Sequence, residues 1–136
     1  MVVDDDASVL LITKQALEAF GYRVITAADG AQAIGLFSPR HSEIAAVVTD
    51  MVMPVMDGPT LVAALQSIDP SVRVVATTGS GSPAYQRKLA KAGVRQILHK
   101  PYTADDLLRT VADILAERSR ASIALRASER TRTHFD

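Results

Sequence analysis

Five times in succession, a short apolar run rich in β-branched residues gives way to a turn and then to apolar residues at helical spacing. Few folds accommodate that order. The strands read as residues 1–3, 22–27, 44–49, 72–77 and 94–98. Val9, Ile12, Ala16 and Phe20 form the first helical stripe, flanked by Thr13 and Leu17. Ala33, Ile34 and Phe37 form the second, stopped by Ser38-Pro39. Leu61, Val62, Leu65 and Ile68 lie on a third helix over 59–68, and Pro59 suits its first turn. A weaker helix over 83–92 offers only Ala84, Leu89 and Ala90. Thr103 caps the last, whose buried stripe is Leu107, Leu108, Val111, Ile114 and Leu115. The alternation predicts an α/β, doubly wound, five-stranded parallel sheet with right-handed crossovers. At 136 residues and 48% apolar, the chain suits a single core.

In such a sheet every strand ends on one edge, and ligands bind there. The first strand delivers Asp4 and Asp5 to that edge, the third Asp50, the fourth Thr78 and the fifth Lys100. The second delivers only Ala27 and Ala28. Asp6 reads as the cap of the first helix, but three adjacent acids exceed what capping requires. Clustered oxygen ligands suit a hard cation, above all Mg²⁺. A Lys point charge and a Thr hydroxyl are natural partners for phosphoryl oxygens. An Asp can attack phosphorus and become an aspartyl phosphate. Those residue types therefore suggest acyl-phosphate chemistry on Asp50.

Composition excludes other classes. A formal net charge of zero provides no field towards nucleic acid or an anionic membrane. Aromatics are 4% with no Trp, which argues against base-stacking platforms. No Cys is present, so neither disulfides nor thiolates contribute. No run approaches a membrane span and the start has no signal-peptide pattern, so a cytoplasmic location is expected.

Taken together, Val2-Val3-Asp4-Asp5-Asp6, Asp50-Met51-Val52-Met53-Pro54-Val55-Met56-Asp57-Gly58, Ala76-Thr77-Thr78-Gly79 and Lys100-Pro101 resemble the receiver domain of two-component response regulators. The resemblance covers about residues 1–116 and implies a flavodoxin-like (βα)5 fold with strand order 2-1-3-4-5. It implies Asp50 as phosphoacceptor, with Asp5, Asp50 and the main-chain oxygen of Val52 on Mg²⁺ and Asp4 acting through a bound water. It implies that Thr78 and Lys100 hold phosphoryl oxygens and that the Lys100-Pro101 bond is cis. The donor would be a histidine-kinase phosphohistidine, and the output a switch of the surface formed by the fourth helix, fifth strand and fifth helix. The target would be a downstream protein or a phosphotransfer domain. The role is regulatory: at most the domain catalyses its own phosphorylation and dephosphorylation. It either stands alone or ends a hybrid histidine kinase.

One departure concerns the switch. Ile97 occupies the position where the family often carries a Tyr or Phe, and Ile has no ring to rotate. Tyr102 is a nearby aromatic. Val52 and Ser80 flank the site and are expected to tune the phosphoryl lifetime. Gly79, Ser80 and Gly81 suit a loop that moves. Met51, Met53 and Met56 read as loop packing, His41 and His134 as loop and tail residues, and His99 as no ligand. Arg87, Lys88 and Lys91 read as a solvated face that could touch a partner. Residues 117–136, with Arg118, Arg120, Arg126, Arg130 and Arg132, read as a helix extension or a disordered basic tail. Two rival readings stay open: a haloacid-dehalogenase-like Mg²⁺-dependent phosphatase, and a receiver-shaped protein-binding module that is never phosphorylated.

Overall fold

A computed structural model describes residues 1–79 and 81–135. Ser80 and Asp136, and the side chains of residues 132–135, among them Arg132 and His134, lie outside the described residues. Among the described residues, five strands form one sheet: β1 (Val2–Val3), β2 (Thr26–Ala27), β3 (Val47–Asp50), β4 (Val74–Thr78) and β5 (Gln96–His99). All pairings are parallel, in the order 2-1-3-4-5. The helices are α1 (Ala7–Glu18), α2 (Gly30–Phe37), α3 (Gly58–Ile68), α4 (Pro83–Lys91) and α5 (Ala104–Phe135). This is the expected flavodoxin-like architecture.

Alternation along the strands divides the core between two faces. Val3, Val47, Val74 and Ala76 pack with Phe37 of α2, Leu61 of α3 and Leu89 of α4. Val2, Val48 and Val75 pack with Leu17 of α1 and Leu107, Val111 and Ile114 of α5. The caps follow from sequence. Asp6 accepts from the N–H groups of Ser8 (2.9 Å) and Val9 (3.3 Å), Asp29 from Gln32 (2.7 Å) and Asp57 from Thr60 (2.9 Å). Thr103 and Asp106 cap α5 reciprocally: each side chain accepts the other's backbone N–H at 3.1 Å. Gly21, with φ +88°, closes the turn after α1.

Three expectations are corrected. The expected apolar stripe of α1 meets the core only through Ala16. Thr13 and Leu17 are buried there, whereas Ile12 and Phe20 are 67% and 68% exposed. Apolar residues occupy more than one face of α1, and the position of the sheet selects between them. Second, only Thr26 and Ala27 of residues 22–27 are paired, because β1 offers just two residues to pair with. Third, the chain does not leave α2 for a plain loop; Ser38–Glu43 forms a 3-10 helix with Pro39 in its first turn. At the other end, residues 117–135 continue α5 without a break. Glu117 holds that helix to the sheet through Arg73 (3.2 Å) and Arg95 (3.7 Å).

Candidate functional site

The register determines which side chains meet. Val3 lies opposite Thr49, so Asp4, one residue on, is level with Asp50. Asp50 lies opposite Thr77, and Thr78 opposite His99, so Thr78 and Lys100 follow on the same rim. Lys100 N–H donates to the Thr78 carbonyl at 2.9 Å. Thr78 itself is fully buried.

Asp4, Asp5 and Asp50 each bring a carboxylate oxygen within 4.8 Å of the other two. Asp5 is exposed, whereas Asp4 and Asp50 are only 4% and 6% exposed. Three carboxylates at that separation repel one another. Burial raises the Asp4 pKa, and the charges of Asp50 and Asp5 add to the rise; a hydrogen bond from Asp6 N–H (2.9 Å) and the Lys100 ammonium oppose it. Lys100 Nζ stands 3.2 Å from Asp50 Oδ2. Burial pulls the Lys100 pKa down, but the hydrogen bond and charge of Asp50, with the charge of Asp4, outweigh it, so the net shift is upward. The other oxygen, Asp50 Oδ1, accepts from Val52 N–H at 3.3 Å. The Lys100-Pro101 peptide bond is cis.

The loop after Asp50 is closely supported. Met51 and Met53 are buried, so these methionines are packing residues as expected. Gly58 N–H donates to the Met51 carbonyl at 3.0 Å. A Cβ at Gly58 would stand 2.6 Å from the Met51 Cα, so only glycine fits there. Val55, fully exposed, adopts φ +68°, a strained conformation for a β-branched residue.

The rim therefore gathers Asp4, Asp5, Asp50 and Lys100 and sets Thr78 beside them, with Val52 bonded to Asp50 through its N–H. An all-oxygen, mutually repelling donor set fits a hard divalent cation, and receiver domains in general hold Mg²⁺ at such an acidic pocket. One residue escaped the sequence reading. Tyr85 on α4 is half-buried, and burial raises its phenol pKa, helped by the charges of Asp57 and Asp50, which places the ring within electrostatic reach of the site. Its four-residue spacing from buried Leu89 was the available signal.

Comparison with known proteins agrees with this geometry. Residues 1–112 match the family model described as "Response regulator receiver domain". The sensor kinase CckA of Brucella abortus is 33% identical over 115 residues, which are 85% of this chain and 12% of that protein. The transcriptional regulatory protein PrrA of Mycobacterium bovis is 36% identical over 129 residues, 95% of this chain and 54% of PrrA. The chain thus spans about half of one relative and a small part of the other. A response regulator receiver domain protein from Clostridium thermocellum superposes with a TM-score of 0.83 at 29% identity, covering 88% of this chain and 95% of that one. No described helix is long and apolar enough to cross a membrane. With the sheet order, the acidic rim and the family match in agreement, the chain belongs to the response regulator receiver domain family, the regulatory phosphorelay module of two-component signalling.

Proposed function

We propose that Asp50 is the phosphoacceptor of this receiver. The observation that carries the reading is one buried strand-end carboxylate that clusters with Asp4 and Asp5 and pairs with Lys100 at 3.2 Å. Asp5, Asp50 and the Val52 main-chain oxygen would hold Mg²⁺, with Asp4 acting through a bound water. When bound, the ion neutralises the repulsion between the carboxylates and an incoming phosphoryl group. An Asp50 oxygen attacks phosphorus, and a P–O bond forms. The P–N bond of a donor phosphohistidine breaks, and its electron pair leaves with the imidazole nitrogen. Lys100, already drawn against Asp50, follows the charge to the phosphoryl oxygens, and the Thr78 hydroxyl takes another of them.

The donor in this reading is a histidine-kinase domain. Leu11 and Ile12 on α1, and Val52 and Val55 beyond Asp50, are exposed apolar residues that such a partner would cover. The recipient of the signal is a downstream protein or a phosphotransfer domain that reads the surface of α4, β5 and α5. Ile97 there is half-buried against the core and carries no ring, so the loop of Gly79 and Gly81 transmits the change without an aromatic at that position. Residues 1–116 form the receiver unit, and the helical run 117–135 extends it. The protein acts in the cytoplasm and catalyses no more than its own phosphorylation and dephosphorylation. Neither rival reading gains support, since the family match and the relatives are response regulator receivers.

Mg²⁺ with acetyl phosphate or beryllofluoride tests this reading. The wild-type protein is expected to gain the phosphoryl mass or the beryllofluoride spectral shift, and Asp50→Asn to lose both. Labelling that persists in Asp50→Asn would remove the assignment.

A further inference from the structure

The fourth helix sits on the sheet with little apolar anchorage. Leu89 is the residue that α4 buries, whereas α3 buries Gly58, Leu61, Val62 and Leu65. Its cap is also long. Tyr85 N–H donates to Ser82 Oγ at 3.4 Å, against 2.9 Å from Thr60 N–H to Asp57 on α3. A polar side chain adds to that weak hold. Half-buried Gln86 places its amide nitrogen 3.4 Å from the Gly81 carbonyl and 3.4 Å from His99 Nε2.

The chemistry of the partners orients this side chain. A carbonyl only accepts, so the atom that faces Gly81 must be the amide nitrogen. The same nitrogen faces His99, whose Nε2 must then accept, with the ring proton on Nδ1. One NH2 group therefore uses both hydrogens, one on the chain leaving β4 and one on the end of β5. Both ends adjoin the rim. His99 lies opposite Thr78 and precedes Lys100, and Gly81 lies three residues beyond Thr78. No apolar side chain could bridge a carbonyl to an imidazole, and a carboxylate would repel the carbonyl. Bonds of 3.4 Å in contact with water are weak, as a tie must be if phosphoryl contacts are to open it.

We propose that Gln86 is a positioning residue: a catch that joins Gly81 to His99 and holds the chain beyond Thr78 in its unphosphorylated place. The inference rests on Asp50 as phosphoacceptor. When the Thr78 hydroxyl takes a phosphoryl oxygen, the chain beyond it follows and the Gly81 carbonyl leaves Gln86. A single exposed bond to His99 then holds the amide poorly, and α4 loses its tie to β5. His99 Nε2, exposed at the end of β5, is left as an acceptor that a hydrogen-bond donor of the downstream partner can take.

Beryllofluoride titrations of the full chain with Mg²⁺ test the catch in wild type, Gln86→Met, His99→Ala and the double variant. Met keeps the length and helix propensity of Gln but has no donor. Without the catch the switched arrangement costs less, so Gln86→Met should bind roughly threefold more tightly than wild type. His99→Ala should tighten binding less, and the double variant no more than Gln86→Met alone. The imidazole carbon–proton resonances of His99 in free Gln86→Met should lie towards those of beryllofluoride-bound wild type. Equal or weaker binding by Gln86→Met would overturn the catch and leave Asp50 standing, as would additive gains in the double variant. A wild type that binds no beryllofluoride would remove the phosphoacceptor reading and this inference together.

Discussion

The two edges of the sheet are built from the same five strands and solve opposite problems. At the C-terminal rim, Asp4, Asp5 and Asp50 crowd within 4.8 Å and one Lys offsets part of their repulsion. At the N-terminal edge, a cavity lined mainly by apolar residues, with Arg23 and Glu43 among them, adjoins the buried Met1 amine. The rim is too charged for its burial, and the opposite edge too apolar for its charge. Function is stored where like charges are held together against repulsion. At the other edge the cost falls on the Met1 amine, which burial holds below its ordinary pKa.

The largest expected effect would break the comparison at the rim. Asp50→Asn should reduce phosphorylation by acetyl phosphate at least roughly 100-fold, since a carboxamide is no nucleophile. With Mg²⁺ absent, the same change should leave the thermal midpoint equal or higher, because it removes one of three repelling carboxylates. A large fall in midpoint would show that Asp50 is held for structure instead. Lys100→Ala should slow phosphorylation by roughly tenfold or more and lower stability by about 1–3 kcal/mol, leaving buried Asp50 without its cation. Rate and denaturant melts measure both parts.

The pH dependence sharpens the contrast, because the two edges titrate in opposite senses. The Met1 amine has a folded pKa of about 6 against 8.0, so the unfolded chain binds more protons between those values. Stability should therefore rise from pH 6 to pH 8, by at most about 2 kcal/mol. Acetylating the amine should abolish that slope. Asp4 behaves in reverse. Its pKa is raised in the folded state, by burial first, so the folded chain takes up a proton at a pH where the unfolded chain does not. Metal-free protein should gain stability as pH falls from neutral through that raised value, and Asp4→Asn should remove the gain. Melts with and without Mg²⁺ across this range test both signs. The smallest effect expected is from Val55→Gly, which relieves a left-handed Val and should stabilise the rim loop by about 1 kcal/mol or less. A loss of stability there would mean that the Val55 side chain contributes more than its exposure suggests.

Much of the site could be read in the chain because its residues fall just beyond strand ends, where turn chemistry marks the boundary. Asp50 precedes a Pro and an Asp-Gly pair, and Lys100 precedes a Pro. Caps were legible for the same local reason at Asp6 and Thr103. Tyr85 was only half legible: its spacing from Leu89 marks a core-facing position of α4, but its closeness to Asp50 comes from how α4 packs. Nor were the ion pairs of Glu117, which join residues 44 and 22 positions apart along the chain to Arg73 and Arg95.

Sequence alone determined the alternation of strand and helix, the helix caps and the set of polar residues that the strand ends could present, because hydrophobic period and turn residues act within a few positions. Only the tertiary structure decided which stripe of α1 faces inward, how much of residues 22–27 pairs, and that Tyr85 of α4 comes within electrostatic reach of Asp50. Those outcomes depend on what lies across the sheet, and a strand or an apolar face is defined by its partner.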